Sequence, residues 1–337
     1  MSEFRKDPLT GQTVIIAPER SRRPNAFAQE SGGDADEACP FCETHEDETP
    51  PEVFALRKEG TAADTPGWFV RVVPNKFPAL QPAAQTPAPR ADQPLKRGDP
   101  AIGVHEAIIE SPRHVTSLAA LSESEIAQIL AVYRHRLLDL RRDTSIRYAL
   151  IFKNEGRLAG ASMPHVHSQL MALQRIPRLA RRALRQASRH YEREGRCLAC
   201  ALIRNELAAG ERLIYESAGF VLVANDAGRF PYESRILPKA HQAEFEMTPP
   251  EQVLELAATL RRLLRGLDGV VNGAAYNLTL HSAPPGAVCQ AWYHWYLELI
   301  PRLTRIAGFE FASGWHVNTV APEQAAQQLR KAFQEVS

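Results

Sequence analysis

Five cysteines in this 337-residue chain fall as Cys39-x-x-Cys42, Cys197-x-x-Cys200 and a lone Cys289. A CxxC turn sets two thiolates side by side, and two more distant histidines complete the tetrahedral shell that a structural zinc ion prefers. Each pair has its candidates downstream. A histidine follows a Pro-containing turn, His114 in SPRH and His241 in LPKAH, and another sits on a late strand, His165 or His294. His114 lies 72 residues after Cys42 and 51 before His165, while His241 lies 41 after Cys200 and 53 before His294. An isolated CxxC would serve equally as a redox dithiol. Duplication with matching histidines favours metal. Two Cys2His2 zinc sites are expected, one of Cys39, Cys42, His114 and His165, the other of Cys197, Cys200, His241 and His294.

The segment PHVHSQL carries the second chemistry. Residues 165, 167 and 169 alternate with Val166, Ser168 and Leu170, so on an extended strand His165, His167 and Gln169 share one face. With His165 held by zinc, His167 is placed by a rigid neighbour and free to attack phosphorus, provided that Nδ1 carries the proton and Nε2 keeps its lone pair. The product of that attack is a phosphoramidate, which divides a difficult transfer into two easier displacements. Upstream, Asn154, Gly160 and Ser162 in NEGRLAGASMPH offer an amide, a close backbone approach and a hydroxyl to phosphate oxygens.

The elements that must position these residues come in two copies. The length exceeds what one hydrophobic core usually serves, and the order CxxC, strand, Pro-turn histidine, helix, strand, histidine strand runs once over residues 1–175 and again over 176–337. In the first copy the strands are WFVRVV, HEAIIES and RYALIF. A helix is expected from Glu123 to Arg142, with Ser122 and Glu125 as a capping box and Ile126, Ile129, Leu130, Tyr133 and Leu137 on its apolar face. In the second copy FVLVAND, AYNLTLHSAPPG and WYHWYLELIPR read as strands, and a helix opens at Thr248-Pro-Pro-Glu251. Residues 28 to 37 and 81 to 100, rich in Pro, Gly, Ala or charge, read as loops.

Forty basic against 39 acidic side chains leave no overall charge to recruit nucleic acid. The N-terminus has no apolar run for a signal peptide or membrane span, so the chain reads as cytoplasmic, with neither membrane nor nucleic acid as partner. Six arginines between Arg175 and Arg189 read as the solvated face of a helix linking the copies. Trp292, Tyr293 and Trp295 read as core, and Cys289 as a buried apolar thiol.

On the run Gly160-Ala-Ser162-Met-Pro-His165-Val-His167-Ser-Gln169, the chain resembles the galactose-1-phosphate uridylyltransferase family of the histidine-triad superfamily, whose signature is Gly-x-Ser-x-x-His-x-His-x-Gln. PERSRRP, CPFC, PNKFPAL, HEAIIESPRH, FKNEG, YHWYLELIPR and AGFE extend the likeness over almost the whole chain. The resemblance implies an α+β fold, a duplicated histidine-triad-like fold with two antiparallel sheets flanked by helices and joined through their edges. It implies that His167 takes a uridylyl group from a UDP-hexose and passes it to a hexose 1-phosphate in ping-pong fashion, in a galactose-metabolising homodimer. Gln169 would then contact the transferred phosphoryl group, with Ser162 beside it. Asn75, Asn154, Gly160 and Ser162 would line the pocket, and Arg20 and Arg23 would approach the phosphates. The second CxxC is similar to that of a divergent branch, ADP-glucose phosphorylase, which makes adenylyl transfer the alternative. Tyr296 stands where the second copy would need its own His167, so one active site per chain is expected. A zinc-stabilised nucleotide-binding module and a hydrolase are the rivals from other classes; Gln169 in place of a further histidine disfavours hydrolysis.

Overall fold

The computed structural model describes residues 2–19, 39–82 and 100–335. Arg20, Arg23, the 28–37 loop and residues 83–99 of the second loop lie outside them. Thirteen strands and six α-helices occur among the described residues. In chain order they are β1 (Glu3–Lys6), β2 (Thr13–Ile16), β3 (Phe54–Arg57), β4 (Trp68–Pro74), β5 (Gly103–Ile109), α1 (Glu123–Leu140), β6 (Tyr148–Glu155), β7 (His167–Leu173), α2 (Arg178–Glu194) and α3 (Leu198–Ala209). Then follow β8 (Leu213–Glu216), β9 (Phe220–Ala224), β10 (Ser234–Pro238), α4 (Pro250–Val270), β11 (Tyr276–His281), β12 (Tyr296–Pro301), α5 (Gly308–Ser313), β13 (His316–Asn318) and α6 (Pro322–Glu335).

Ten strands make one sheet in the order β3-β4-β5-β7-β6-β11-β12-β10-β9-β8. Counted outward from its centre, β6, β7, β5, β4, β3 on one side match β11, β12, β10, β9, β8 on the other. The repeat read from the sequence is thus a repeat of strand order. The two half-sheets meet edge to edge, β6 pairing antiparallel with β11 from Tyr276↔Glu155 to Leu280↔Ile151. That seam hides two edges that would otherwise present unpaired backbone groups. A small sheet, β1-β2-β13, ties the start of the chain to its end.

One face of the large sheet is covered by α1, α4 and α6. Leu170 and Ala172 of β7, Ile108 of β5 and Val70 and Val72 of β4 pack there with Ile126, Leu130 and Tyr133 of α1 and Leu256, Leu260 and Leu263 of α4. Each Leu or Ile so buried contributes about 1.5–3 kcal/mol. Period-two alternation sends the odd-numbered residues of β5 and β7 to the opposite face, where Ala107 and Ile109 pack with Val73, Trp68 and Phe41. The capping box at Ser122 and Glu125 is present. Helix α1 stops at Leu140, two residues short of Arg142, because Arg142 and Asp143 donate to Asp139 and Leu140 in tightened i−3 turns. Helix α2 carries five of the six arginines on an exposed surface, Arg175 preceding it, and buries Ala187 alone.

Candidate active site and metal centres

Ligand atoms of Cys39, Cys42, His114 and His165 lie within 4.8 Å of one another, as do those of Cys197, Cys200, His241 and His294. Either cluster could hold a metal ion. In the first, sulfur to Nδ1 separations are 3.5 Å for Cys39–His165, 3.5 Å for Cys42–His114 and 3.7 Å for Cys42–His165. In the second they are 3.9 Å, 3.4 Å and 3.6 Å for Cys197–His294, Cys200–His241 and Cys200–His294. Tetrahedral zinc with ordinary Zn–S and Zn–N bonds would set such pairs about 3.6 Å apart. The far ring nitrogens are committed elsewhere. His165 Nε2–H donates to the Ser111 carbonyl (2.8 Å), His294 Nε2–H to Pro238 (3.0 Å) and His241 Nε2–H to Gln290 (2.7 Å). That commitment leaves Nδ1 of each ring as the ligand atom. Burial pushes the His165 ring down to about 4, keeping it neutral. Burial, with Cys39 alongside, pushes the Cys42 thiol up to about 11, a cost that a cation between the two sulfurs removes.

The histidine strand differs from expectation in one respect. Strand β7 begins at His167, and His165 lies just before it, its ring turned to the cysteines rather than along the strand face. The two histidines are joined through the backbone: His167 Nδ1–H donates to the His165 carbonyl at 2.8 Å. A carbonyl can only accept, so this bond selects the tautomer with a bare Nε2. Burial lowers the proton affinity of the ring below that of an ordinary histidine, opposed by the bond to His165 and reinforced by Lys153. Phe41, from the CxxC turn, packs edge-on against His167 with centroids 5.3 Å apart.

His167 and Gln169 border a cavity of about 300 Å³ together with Ser162, Asn75, Lys76 and Ala107. That volume suits a nucleotide-sized ligand. Asn154 and Gly160 are not among the residues that line it. Asn154 Oδ1 accepts from Asn277 Nδ2 (2.8 Å) across the β6–β11 seam, and a Cβ on Gly160 would stand 3.8 Å from Asn154 Nδ2. Gly160 has φ +88°, the left-handed region that favours glycine.

Three residues of the site went unnoticed in the sequence. His105, opposite Met171 in the β5–β7 ladder, reaches Gln169 Oε1 with Nε2 at 2.8 Å. On the helix-covered face, Lys153 Nζ donates to Glu110 Oε2 (2.7 Å) and to the His167 carbonyl (3.2 Å). Glu110 also accepts from Tyr133 and from Ser168, the residue after His167. Both charged side chains are essentially inaccessible. A lysine and a glutamate inside otherwise apolar strands were the available signal, since a buried charge needs a partner.

In the second copy, Tyr296 and His294 border a cavity of only about 20 Å³. Tyr296, the first residue of β12, stacks on His281 at 4.5 Å, and the Arg235 guanidinium lies over its ring, 5.2 Å from the centroid. Ala107 pairs with Gln169 in the first copy, and Arg235 pairs with Glu298 at the equivalent rungs of the second. Arg235 Nε donates to Glu298 (2.8 Å), Arg229 donates to the other carboxylate oxygen (2.8 Å), and Asp7 closes the network on Arg235 (2.5 Å). Burial alone would raise the Glu298 carboxyl, but Arg229 and Arg235 hold it well below the usual carboxylate range. Where Ala107 and Gln169 border the large cavity in the first copy, the equivalent rungs of the second carry an ion pair. Trp295 is core, against Phe245 and Phe220. Cys289 is buried.

Two family models match: "Galactose-1-phosphate uridyl transferase, N-terminal domain" over residues 1–177, and a domain of unknown function, DUF4921, over residues 105–337. ADP-glucose phosphorylase of Arabidopsis thaliana is 34% identical over 98% of this chain and 92% of its own. Galactose-1-phosphate uridylyltransferase of Thermotoga maritima is 26% identical over the full length of both. Among solved structures, an ADP-glucose phosphorylase from Arabidopsis thaliana with bound ADP-glucose superposes with TM-score 0.85 and 33% identity over 98% of each chain.

Proposed function

Since the chain belongs to the galactose-1-phosphate uridylyltransferase family, we propose that it transfers an adenylyl group from ADP-glucose to phosphate or a sugar phosphate by way of a covalent phosphohistidine at His167. The observation that carries the chemistry is the His167 Nδ1–H bond to the His165 carbonyl, which leaves Nε2 as a nucleophile bordering the cavity. In the first displacement Nε2 attacks the α-phosphorus, a P–N bond forms, and the P–O bond to the departing glucose 1-phosphate breaks with its electron pair on oxygen. In the second, an oxygen of the acceptor attacks phosphorus and the P–N pair returns to Nε2. Gln169, Ser162 and Asn75 act as donors to the phosphoryl oxygens, where charge gathers in the transition state. Asn154 and Gly160 serve at one remove, shaping the turn that delivers Ser162. Arg20 and Arg23 retain the role of phosphate contacts.

The preference for adenine rests on relatedness. Identity is 34% to the ADP-glucose phosphorylase against 26% to the uridylyltransferase. Uridylyl transfer to a hexose 1-phosphate is the second reading, favoured by the family model over residues 1–177. Zinc is the metal we assign to both clusters, held by the eight residues named; there it supplies rigidity, fixing His165 and through it His167, and takes no part in bond making. Intact-protein mass spectrometry after brief incubation with ADP-glucose or UDP-glucose separately tests the reading. An adenylyl mass on the wild type from ADP-glucose alone, absent in His167→Ala, is the expected outcome. A uridylyl mass alone would establish the second reading, and no adduct from either would reject the covalent mechanism.

A further inference from the structure

The ring of His105 sits between residues 75–79 and Gln169; Asn75 Nδ2 lies 3.4 Å from Nε2, a longer contact than the two that set the ring's tautomer. The backbone N–H of Ala79 points at Nδ1, 3.1 Å away, and a backbone N–H can only donate. Nδ1 is therefore the bare nitrogen, and the proton of the neutral ring is on Nε2. Nε2–H then donates to Gln169 at 2.8 Å, so the atom of Gln169 that faces His105 must be the carbonyl Oε1. The NH2 group of Gln169 is left for the cavity. Asn75 is oriented in the same sense. Its Oδ1 accepts the Phe77 N–H at 2.9 Å, and its own N–H donates to the His105 carbonyl, also at 2.9 Å. Side chain and main chain of His105 thus hold the 75–79 loop and Gln169 in one arrangement.

We propose that His105 is a positioning residue for nucleotidyl transfer: it locks Gln169 with its amide N–H bonds, not its carbonyl, toward the transferred phosphoryl group. The physical need is specific. An unrestrained glutamine can offer either end, and a carbonyl turned on a phosphoryl oxygen repels the charge that develops there. A backbone donor at Ala79 settles which end is offered before substrate arrives, at no cost during the reaction. This inference rests on the covalent transfer reading above and adds to it the residue that orients the phosphoryl donor.

The test compares His105→Phe, which keeps a ring but neither accepts nor donates, with His105→Gln, whose amide can still donate to Gln169. In single-turnover incubations with ADP-glucose and UDP-glucose, His105→Phe should form the His167 adduct between about 10- and 100-fold more slowly, with half-saturating nucleotide sugar changed by less than about threefold. His105→Gln should recover most of that rate. Equal rates in His105→Phe and wild type, or a loss in which only the half-saturating concentration moves, would overturn the proposal. Independently, 15N NMR of histidine-labelled wild type should show His105 with a protonated Nε2 and a bare Nδ1 at neutral pH, and the opposite tautomer would overturn it. Failure of the wild type to form any adduct would count against the transfer reading, while the NMR result would still decide the orientation of Gln169.

Discussion

The imidazole of His167 is tied to the carbonyl of His165 at 2.8 Å, and the ring of His165 lies 3.5 Å from the Cys39 sulfur and 3.7 Å from that of Cys42. His167 is therefore coupled to the first Cys2His2 cluster through two bonds of one residue. The second copy has the matching cluster, with Tyr296 in the place of His167.

Metal content should follow this division. The purified protein is expected to carry two equivalents of zinc, one for each Cys2His2 cluster. Cys42→Ser should lose one equivalent and slow adduct formation at His167 by about 10- to 100-fold, because the ligand that places it is released. Cys200→Ser should also lose one equivalent, lower the melting temperature, and keep the adduct rate per folded molecule within about threefold. Elemental analysis with single-turnover labelling reads both. An equal loss of labelling in the two variants would contradict the division.

Lys153 and Glu110 should behave as a coupled buried pair. Lys153→Met leaves the Glu110 carboxylate without its 2.7 Å partner and should cost about 3–5 kcal/mol in urea unfolding. Adding Glu110→Gln, which keeps hydrogen bonds to Tyr133 and Ser168 without the charge, should recover at least half of that loss. A double-mutant cycle with no interaction energy would mean the pair does not act together.

Acid should weaken the seam between the N-terminal segment and the second copy. Burial alone would raise the Asp7 carboxyl, but Arg235 overrides this and holds it below its ordinary value of 3.8. The lowered value means that ionised Asp7 stabilises the folded chain above about pH 4, and this contribution is lost as the pH falls through the folded-state value. Asp7→Asn should be less stable than wild type at pH 7, with the difference shrinking below about pH 4. A difference that stays constant from pH 7 to pH 3 would refute the assignment.

Gly103 should not tolerate a side chain. It pairs with Leu173 in the β5–β7 ladder, and a Cβ there would stand 2.1 Å from the Ala172 carbonyl oxygen, part of the backbone. Gly103→Ala is expected to destabilise by about 1–3 kcal/mol or more, and to slow transfer as well, because those strands carry His105 and Gln169. A variant as stable as wild type would show that the ladder relaxes more easily than the close approach implies.

Much of the site was legible in residue type and spacing. The eight residues of the two Cys2His2 clusters follow from two CxxC pairs and the histidines at matching distances, and the capping box marked the start of α1. That His167 and Gln169 share one face was readable because strand alternation is a local property. The start of β7 was not: His165 leaves the strand because its ring is drawn to cysteines more than 120 residues away.

What the sequence determined by itself was therefore the residue types available: two cysteine and histidine sets, His167 beside Gln169 on one strand face, and Tyr296 in place of a second such histidine. Tertiary structure decided where there is room to use it. Ala107 opposite Gln169 borders a cavity of about 300 Å³ and Arg235 opposite Glu298 makes an ion pair, a contrast that exists only once the strands have paired. It also decided which partners complete the site, bringing His105 to Gln169 and Lys153 to Glu110. Cross-strand register is set by burial summed over the whole sheet, so no short stretch of sequence contains it.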